Sequence, residues 1–140
     1  MRYMMMLKAN ADSEASVPPS RELITEMGRY NEALIGAGVL LDAAGLQSSA
    51  AGTRIDFLGD QRQVTDGPFG EPGELIAGFW MIQVKSRDEA IEWARRCPNP
   101  HGSGAAQIEL RPVFEPGDFT NAPAELVARE LELRAAAGRK

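Results

Sequence analysis

The stretch Asp66-Gly67-Pro68-Phe69-Gly70-Glu71-Pro72-Gly73-Glu74 sets three carboxylates beside an aromatic ring, just ahead of the apolar run Leu75-Ile76-Ala77-Gly78-Phe79-Trp80-Met81-Ile82. An acidic turn at a strand entrance is a common place for a site, because a rigid scaffold holds it. Asp66 is the leading candidate there. A carboxylate near Phe69 at a pocket mouth can accept a proton or a ligand hydrogen bond, and apolar neighbours would raise its pKa. The alternative is structural: an Asp before Gly caps its own turn, while Gly67 and Pro68 fix the backbone. Glu71 and Glu74 could join Asp66 around a hard cation. Such ions take six or more oxygens, however, and this spacing fits no known loop, so the segment reads as a solvated acidic turn and no metal is expected.

His101, the single histidine, lies in Asn99-Pro100-His101-Gly102-Ser103-Gly104. It suits general acid–base work near neutrality, but one imidazole cannot make a transition-metal centre. Cys97 has Arg95, Arg96 and His101 nearby in sequence. It also ends a helix, where the dipole disfavours a thiolate, and reads as a structural cysteine. Glu109 and Arg111 alternate on one strand and share a face. With Arg54, Asp56 and Arg62 they could line a dimer cleft for a small anion, or form surface ion pairs. Tyr30 sits on an apolar helical stripe, from which its hydroxyl either enters that cleft or satisfies one hydrogen bond in the core. Met4, Met5 and Met6 alternate along a strand and fill core space rather than bind copper. Gly67, Gly70 and Gly73 space as turn residues with no Lys-Ser/Thr following, and no serine nucleophile elbow occurs. No cofactor is expected.

The 140 residues carry a net charge of −5, with 44% hydrophobic and 25% charged residues. These are the values of one globular domain with a core of its own. An acidic surface repels phosphate backbones and anionic lipid, which argues against nucleic-acid and membrane partners. A single cysteine excludes an internal disulfide, and neither a signal h-region nor a membrane span is legible, so a cytoplasmic location is expected.

Tyr3 to Ala9 reads as a strand apolar on both faces. Asn10 to Pro19 reads as a loop. Ser20 caps a helix whose Leu23, Met27, Tyr30 and Leu34 recur at helical spacing, ending at Gly36 and Gly38. A strand from Val39 to about Leu46 follows. Thr53 to Leu58 and Gln61 to Thr65 flank Gly59-Asp60, a two-residue hairpin signal. Leu75 to Val84 is the strongest strand. Ser86 and Glu89 form a capping box for a helix to about Arg96, burying Ala90, Ile91 and Ala94 or Trp93. His101 to Gly104 reads as flexible, Gln107 to Phe114 as the last core strand, and a final helix from near Asn121 to about Ala137 carries Leu126, Val127 and Leu133 on one stripe. The tail Gly138-Arg139-Lys140 is expected to fray.

The order β-α-β-(hairpin)-β-α-β-α predicts an α+β class: a ferredoxin-like split β-α-β with an inserted hairpin. Residues 1–116 form the domain and 117–140 a C-terminal helical extension. With both helices on one sheet face, Met4, Met6, Phe79 and Met81 would lie bare on the other. A homodimer with its sheets face to face buries such a patch.

The chain resembles the YCII-related family, in particular its DGPF subgroup. The resemblance rests on Arg2-Tyr3-Met4-Met5-Met6, Ala37-Gly38-Val39-Leu40, Asp66-Gly67-Pro68-Phe69 with Glu71, Gly78-Phe79-Trp80-Met81-Ile82, Ala90-Ile91-Glu92-Trp93-Ala94 and Ile108-Glu109-Leu110-Arg111-Pro112-Val113. It implies a ferredoxin-like fold dimerised as an α/β barrel. It also implies that a His–Asp pair seen in the broader family is missing, because Met27 stands at the His position and Cys97 at the Asp position. Three functions follow as expectations. The first is a small-ligand-binding homodimer with an accessory or regulatory role. The second is a cofactor-independent lyase- or isomerase-like enzyme using Asp66 with His101 or Tyr30. The third is an interaction module acting through the last helix.

Overall fold

The computed structural model describes residues 1–138; Arg139 and Lys140, which belong to the tail expected to fray, lie outside the described residues. The elements run β1 (Arg2–Lys8), α1 (Ala11–Glu14), α2 (Arg21–Gly36), β2 (Leu40–Gly45), β3 (Thr53–Leu58), β4 (Gln61–Asp66), β5 (Ile76–Gln83), α3 (Arg87–Arg96), β6 (Ile108–Pro112) and α4 (Ala124–Ala137), with 3-10 turns at Ser49–Ala51, Pro72–Glu74 and Pro116–Asp118. Four strands make an antiparallel sheet in the order β2-β5-β1-β6, and β3 and β4 pair only with each other. The mixed, antiparallel α+β architecture is consistent with a ferredoxin-like fold.

The strand register explains which residues become core. Tyr3 faces Ile82 and Met5 faces Trp80 across β1 and β5. These four side chains meet Tyr30 and Leu34 of α2 and Ala90 of α3 in one cluster. Met5, Leu34 and Ile82 are fully buried, each contributing about 1.5–3 kcal/mol from water exclusion. The Tyr30 and Trp80 rings meet edge to face, 6.0 Å apart at 83°. The Tyr30 hydroxyl donates to the Trp93 carbonyl at 2.6 Å, joining the two sheet-covering helices. On the other face, Met4 pairs with Met81 and Met6 with Phe79 across β1 and β5. Arg111 and Glu109 of β6 stand opposite Met4 and Met6, and all four apolar side chains are half-buried.

Ser20 caps α2, its hydroxyl accepting from the Leu23 N–H at 3.1 Å. Ser86 caps α3 through the Glu89 N–H at 3.1 Å. The return bond of that expected capping box is displaced by one residue: the Glu89 carboxylate accepts from the Lys85 N–H at 2.8 Å. The segment read as loop, Asn10 to Pro19, contains the short helix α1. Asn10 and Ser13 exchange side-chain-to-backbone bonds of 2.9 and 2.8 Å there, which satisfies the first turn without any apolar stripe. The hairpin turns at Gly59-Asp60, with Leu58 opposite Gln61. The last helix starts at Ala124, behind Pro123, rather than at Asn121, and none of its described residues is buried.

Candidate functional site

A continuous cleft opens between the N-terminal half of α2 and the sheet. Its inner lobe, about 500 Å3, is walled by Leu23 and Met27 of α2 and by Gly78 and Trp80 of β5. Its outer lobe, about 920 Å3, is edged by Asn10, Ser13, Ser20, Ser48 and His101. Leu7, Leu23 and Pro100 border both lobes. The helical spacing of Leu23 and Met27 places both on the sheet-facing stripe. Gly78 lets β2 and β5 approach closely, since a Cβ there would lie 3.0 Å from the Ala44 carbonyl oxygen. A chiefly apolar lobe beside one edged with polar groups is a usual composition for a small-molecule site.

Two polar side chains in the cleft are held in one orientation. The Trp80 indole N–H donates to Asn31 Oδ1 at 2.9 Å, which turns the amide nitrogen of Asn31 into the donor left for a ligand. His101 Nε2 lies 3.1 Å from the Lys8 carbonyl oxygen. A carbonyl can only accept, so Nε2 carries a proton, and in the tautomer this selects Nδ1 holds the lone pair. The loop that carries His101 is braced rather than loose. Asn99 Oδ1 accepts from the His101 N–H at 3.0 Å, and Asn99 Nδ2 donates to the Gly104 carbonyl at 2.9 Å.

The acidic turn stands behind the wall of the cleft. Glu14, at the end of α1, accepts from both the N–H and the hydroxyl of Ser49. Ser49 Oγ in turn accepts from the Phe69 N–H at 3.2 Å. The neighbouring Ser48, Ala50 and Ala51 line the outer lobe. Gly67 packs against this 3-10 turn so closely that a Cβ would fall 1.7 Å from the Ser49 carbonyl oxygen. The glycine of Asp-Gly-Pro-Phe is therefore required by contact with the cleft wall.

The residues singled out in the sequence are dispersed by the fold. His101 lines the cleft, and Asp66, Tyr30, Phe69, Glu109 and Arg111 do not. Asp66 is exposed, and its carboxylate accepts from the Thr53 hydroxyl at 3.3 Å. Phe69 is half-buried beneath the Arg54 guanidinium, 4.0 Å from the ring centroid. Glu109 accepts from Arg111 at 3.4 Å, with the Lys8 ammonium 3.8 Å away, on the sheet face that the helices leave open. Burial pushes the Tyr30 phenol up, and its hydroxyl is engaged with Trp93. Burial also pushes the Cys97 thiol up to about 12, far from a reactive thiolate. Among the described residues, no group of three or more His, Cys, Asp or Glu side chains could hold a metal ion, and no helix is long and apolar enough to cross a membrane. Asn31 escapes the sequence reading although a signal was present: it follows Met27 by four, a polar residue on the apolar stripe of α2.

The profile of the YCII-related domain matches residues 1–115. The chain belongs to the YCII-related family. An uncharacterised protein of Rhizobium meliloti (strain 1021) is 33% identical over 101 residues, covering 71% of this chain and 77% of its own. The YCII-related match takes in every strand and the helices α1 to α3, and it ends before α4. Met27, which the family resemblance puts at the histidine position, supplies a thioether to the inner lobe, whereas Cys97 lies outside both lobes.

Proposed function

We propose that this YCII-related protein is a cytoplasmic homodimer that binds a small molecule in the cleft between α2 and the sheet, in an accessory or regulatory role. One observation carries the reading: two adjoining lobes, one chiefly apolar and one edged by polar residues, share a wall, with Asn31 and His101 already oriented by their own hydrogen bonds. Oriented polar groups around apolar volume lower the cost of ordering a ligand. The homodimer is supported by Met4, Met6, Phe79 and Met81, which form one apolar band on the face away from the helices. A twofold partner presents the same band and needs no second surface.

A thermal-shift screen against a metabolite library tests the binding. A compound bound at 100 times its dissociation constant stabilises the fold by about 2.7 kcal/mol. Met27→Trp fills the inner lobe and is expected to abolish that shift while leaving the unliganded chain folded. An unchanged shift in Met27→Trp contradicts the assignment.

A second reading, a cofactor-independent lyase- or isomerase-like enzyme, is supported by His101 alone, which lines the cleft with its Nε2 bonded to the Lys8 carbonyl and Nδ1 as its second ring nitrogen. Asp66, the other acid–base candidate, does not line that cleft. The interaction reading is supported by α4, on which Leu126 and Leu133 are 61% and 57% exposed. α4 is then an appendage to the domain rather than part of it.

A further inference from the structure

We infer that the cleft selects a molecule with an apolar body and an N–H or O–H donor, and rejects carboxylates and phosphates. This rests on the reading of the cleft as a ligand site and specifies the chemistry it takes. The first ground is charge. Among the described residues no Lys or Arg lines either lobe, and the single carboxylate at the rim is Asp12. A carboxylate or phosphate drawn into the inner lobe would lose water and meet no cation, which is costly in an apolar setting. The N-terminus of α2 opens on the outer lobe, where the Ser20 hydroxyl already accepts from the Leu23 N–H and Glu22 adds a negative charge to the first turn. The Asn31 amide offers a neutral donor, too little to replace the hydration of an anion. The net charge of −5 also repels anions on approach.

The second ground is the His101 tautomer. The Nε2–H donates to the Lys8 carbonyl, and in the tautomer this selects the other ring nitrogen, Nδ1, is an acceptor. An acceptor at the polar mouth matches a donor on the ligand. The apolar body then lies against Leu23, Met27 and Trp80, which line the inner lobe.

Three probes with one phenyl body separate the possibilities: phenylacetamide, phenethylamine and phenylacetate. They are titrated against the full chain carrying Trp93→Phe, so that Trp80 is the remaining tryptophan and reports from the cleft. The amide and the ammonium are expected to change Trp80 emission, with phenylacetate at least about tenfold weaker. Phenylacetate binding as tightly as the amide overturns the charge selection and leaves the cleft standing as a site. No change with any probe overturns the site itself, and the selection with it. His101→Phe is expected to weaken phenylacetamide about tenfold, the effect of one lost hydrogen bond. An unaltered affinity in that variant overturns the role given to the imidazole.

Discussion

Gly67 and Gly73 lie in the same turn but meet different surroundings, and the contrast is measurable. A Cβ at Gly67 collides with the Ser49 carbonyl at 1.7 Å, whereas a Cβ at Gly73 meets nothing within 4 Å. Gly67→Ala should cost about 2 kcal/mol or more, and Gly73→Ala less than about 0.5 kcal/mol, in urea unfolding midpoints. Equal effects would mean that the turn does not press on the cleft wall. Burial pushes the Cys97 thiol up to about 12, so alkylation of the folded chain at pH 8 should be far slower than in urea. Labelling at the rate of a free thiol contradicts the burial. Glu115 accepts two bonds from the Arg2 guanidinium, at 2.6 and 3.0 Å, and the guanidinium holds its carboxyl below the ordinary value. A depressed carboxyl stabilises the fold above its unfolded pKa and loses that contribution as the pH falls through the lower, folded value. Glu115→Gln should therefore lower stability slightly at neutral pH and match the unaltered chain in strong acid, which flattens the acid limb, and the loss is small because the group is largely solvated. A steeper acid limb in the variant would contradict the pairing.

At the scale of elements, β1, α2, β5 and α3 are legible in the sequence because each carries its own evidence. Period-two alternation marks the strands, helical spacing marks α2, and Ser20 and Ser86 stand where caps must stand. α1 is not legible, since one turn with polar caps has no apolar period. The cleft is not legible either. It arises where α2 crosses β1 and β5, and no local pattern announces which face of Asn31 or Trp80 will border open volume. Asp66 stands out in sequence because turn chemistry and site chemistry use the same residues; the fold gives Asp66 to the hairpin end and His101 to the cleft. Trp80→Phe should cost about 1 kcal/mol through the lost bond to Asn31. A chain ended after Thr120 removes α4, whose described residues are all unburied, and should unfold within about 1 kcal/mol of the full chain. A larger loss would make α4 an integral part of the domain.

For the whole molecule, the proposed function assigns two surfaces to partners of different kinds. The cleft is concave and oriented, and suits a small molecule. The band of Met4, Met6, Phe79 and Met81 is sheet surface and suits a second copy. The hairpin β3–β4 adds a third apolar area, with Ile55, Phe57 and Val64 between 55% and 70% exposed and Arg62 stacked 4.3 Å over Phe57. A free two-stranded hairpin is barely stable by itself, so its melting should follow the oligomeric state. Met4→Lys with Met81→Lys places like charges on facing strands at the centre of the proposed twofold band. Sedimentation of this pair should show a monomer where the unaltered chain is a dimer at micromolar concentration. A dimer that survives the double substitution would place the interface elsewhere.

The most direct test is a co-crystal structure with a compound that stabilises the chain in the thermal-shift screen. Density is expected between α2 and the sheet, its apolar part against Leu23, Met27 and Trp80 and a donor within about 3 Å of His101 Nδ1. Density at the hairpin, or between the open faces of two sheets, with the cleft left empty, would contradict it.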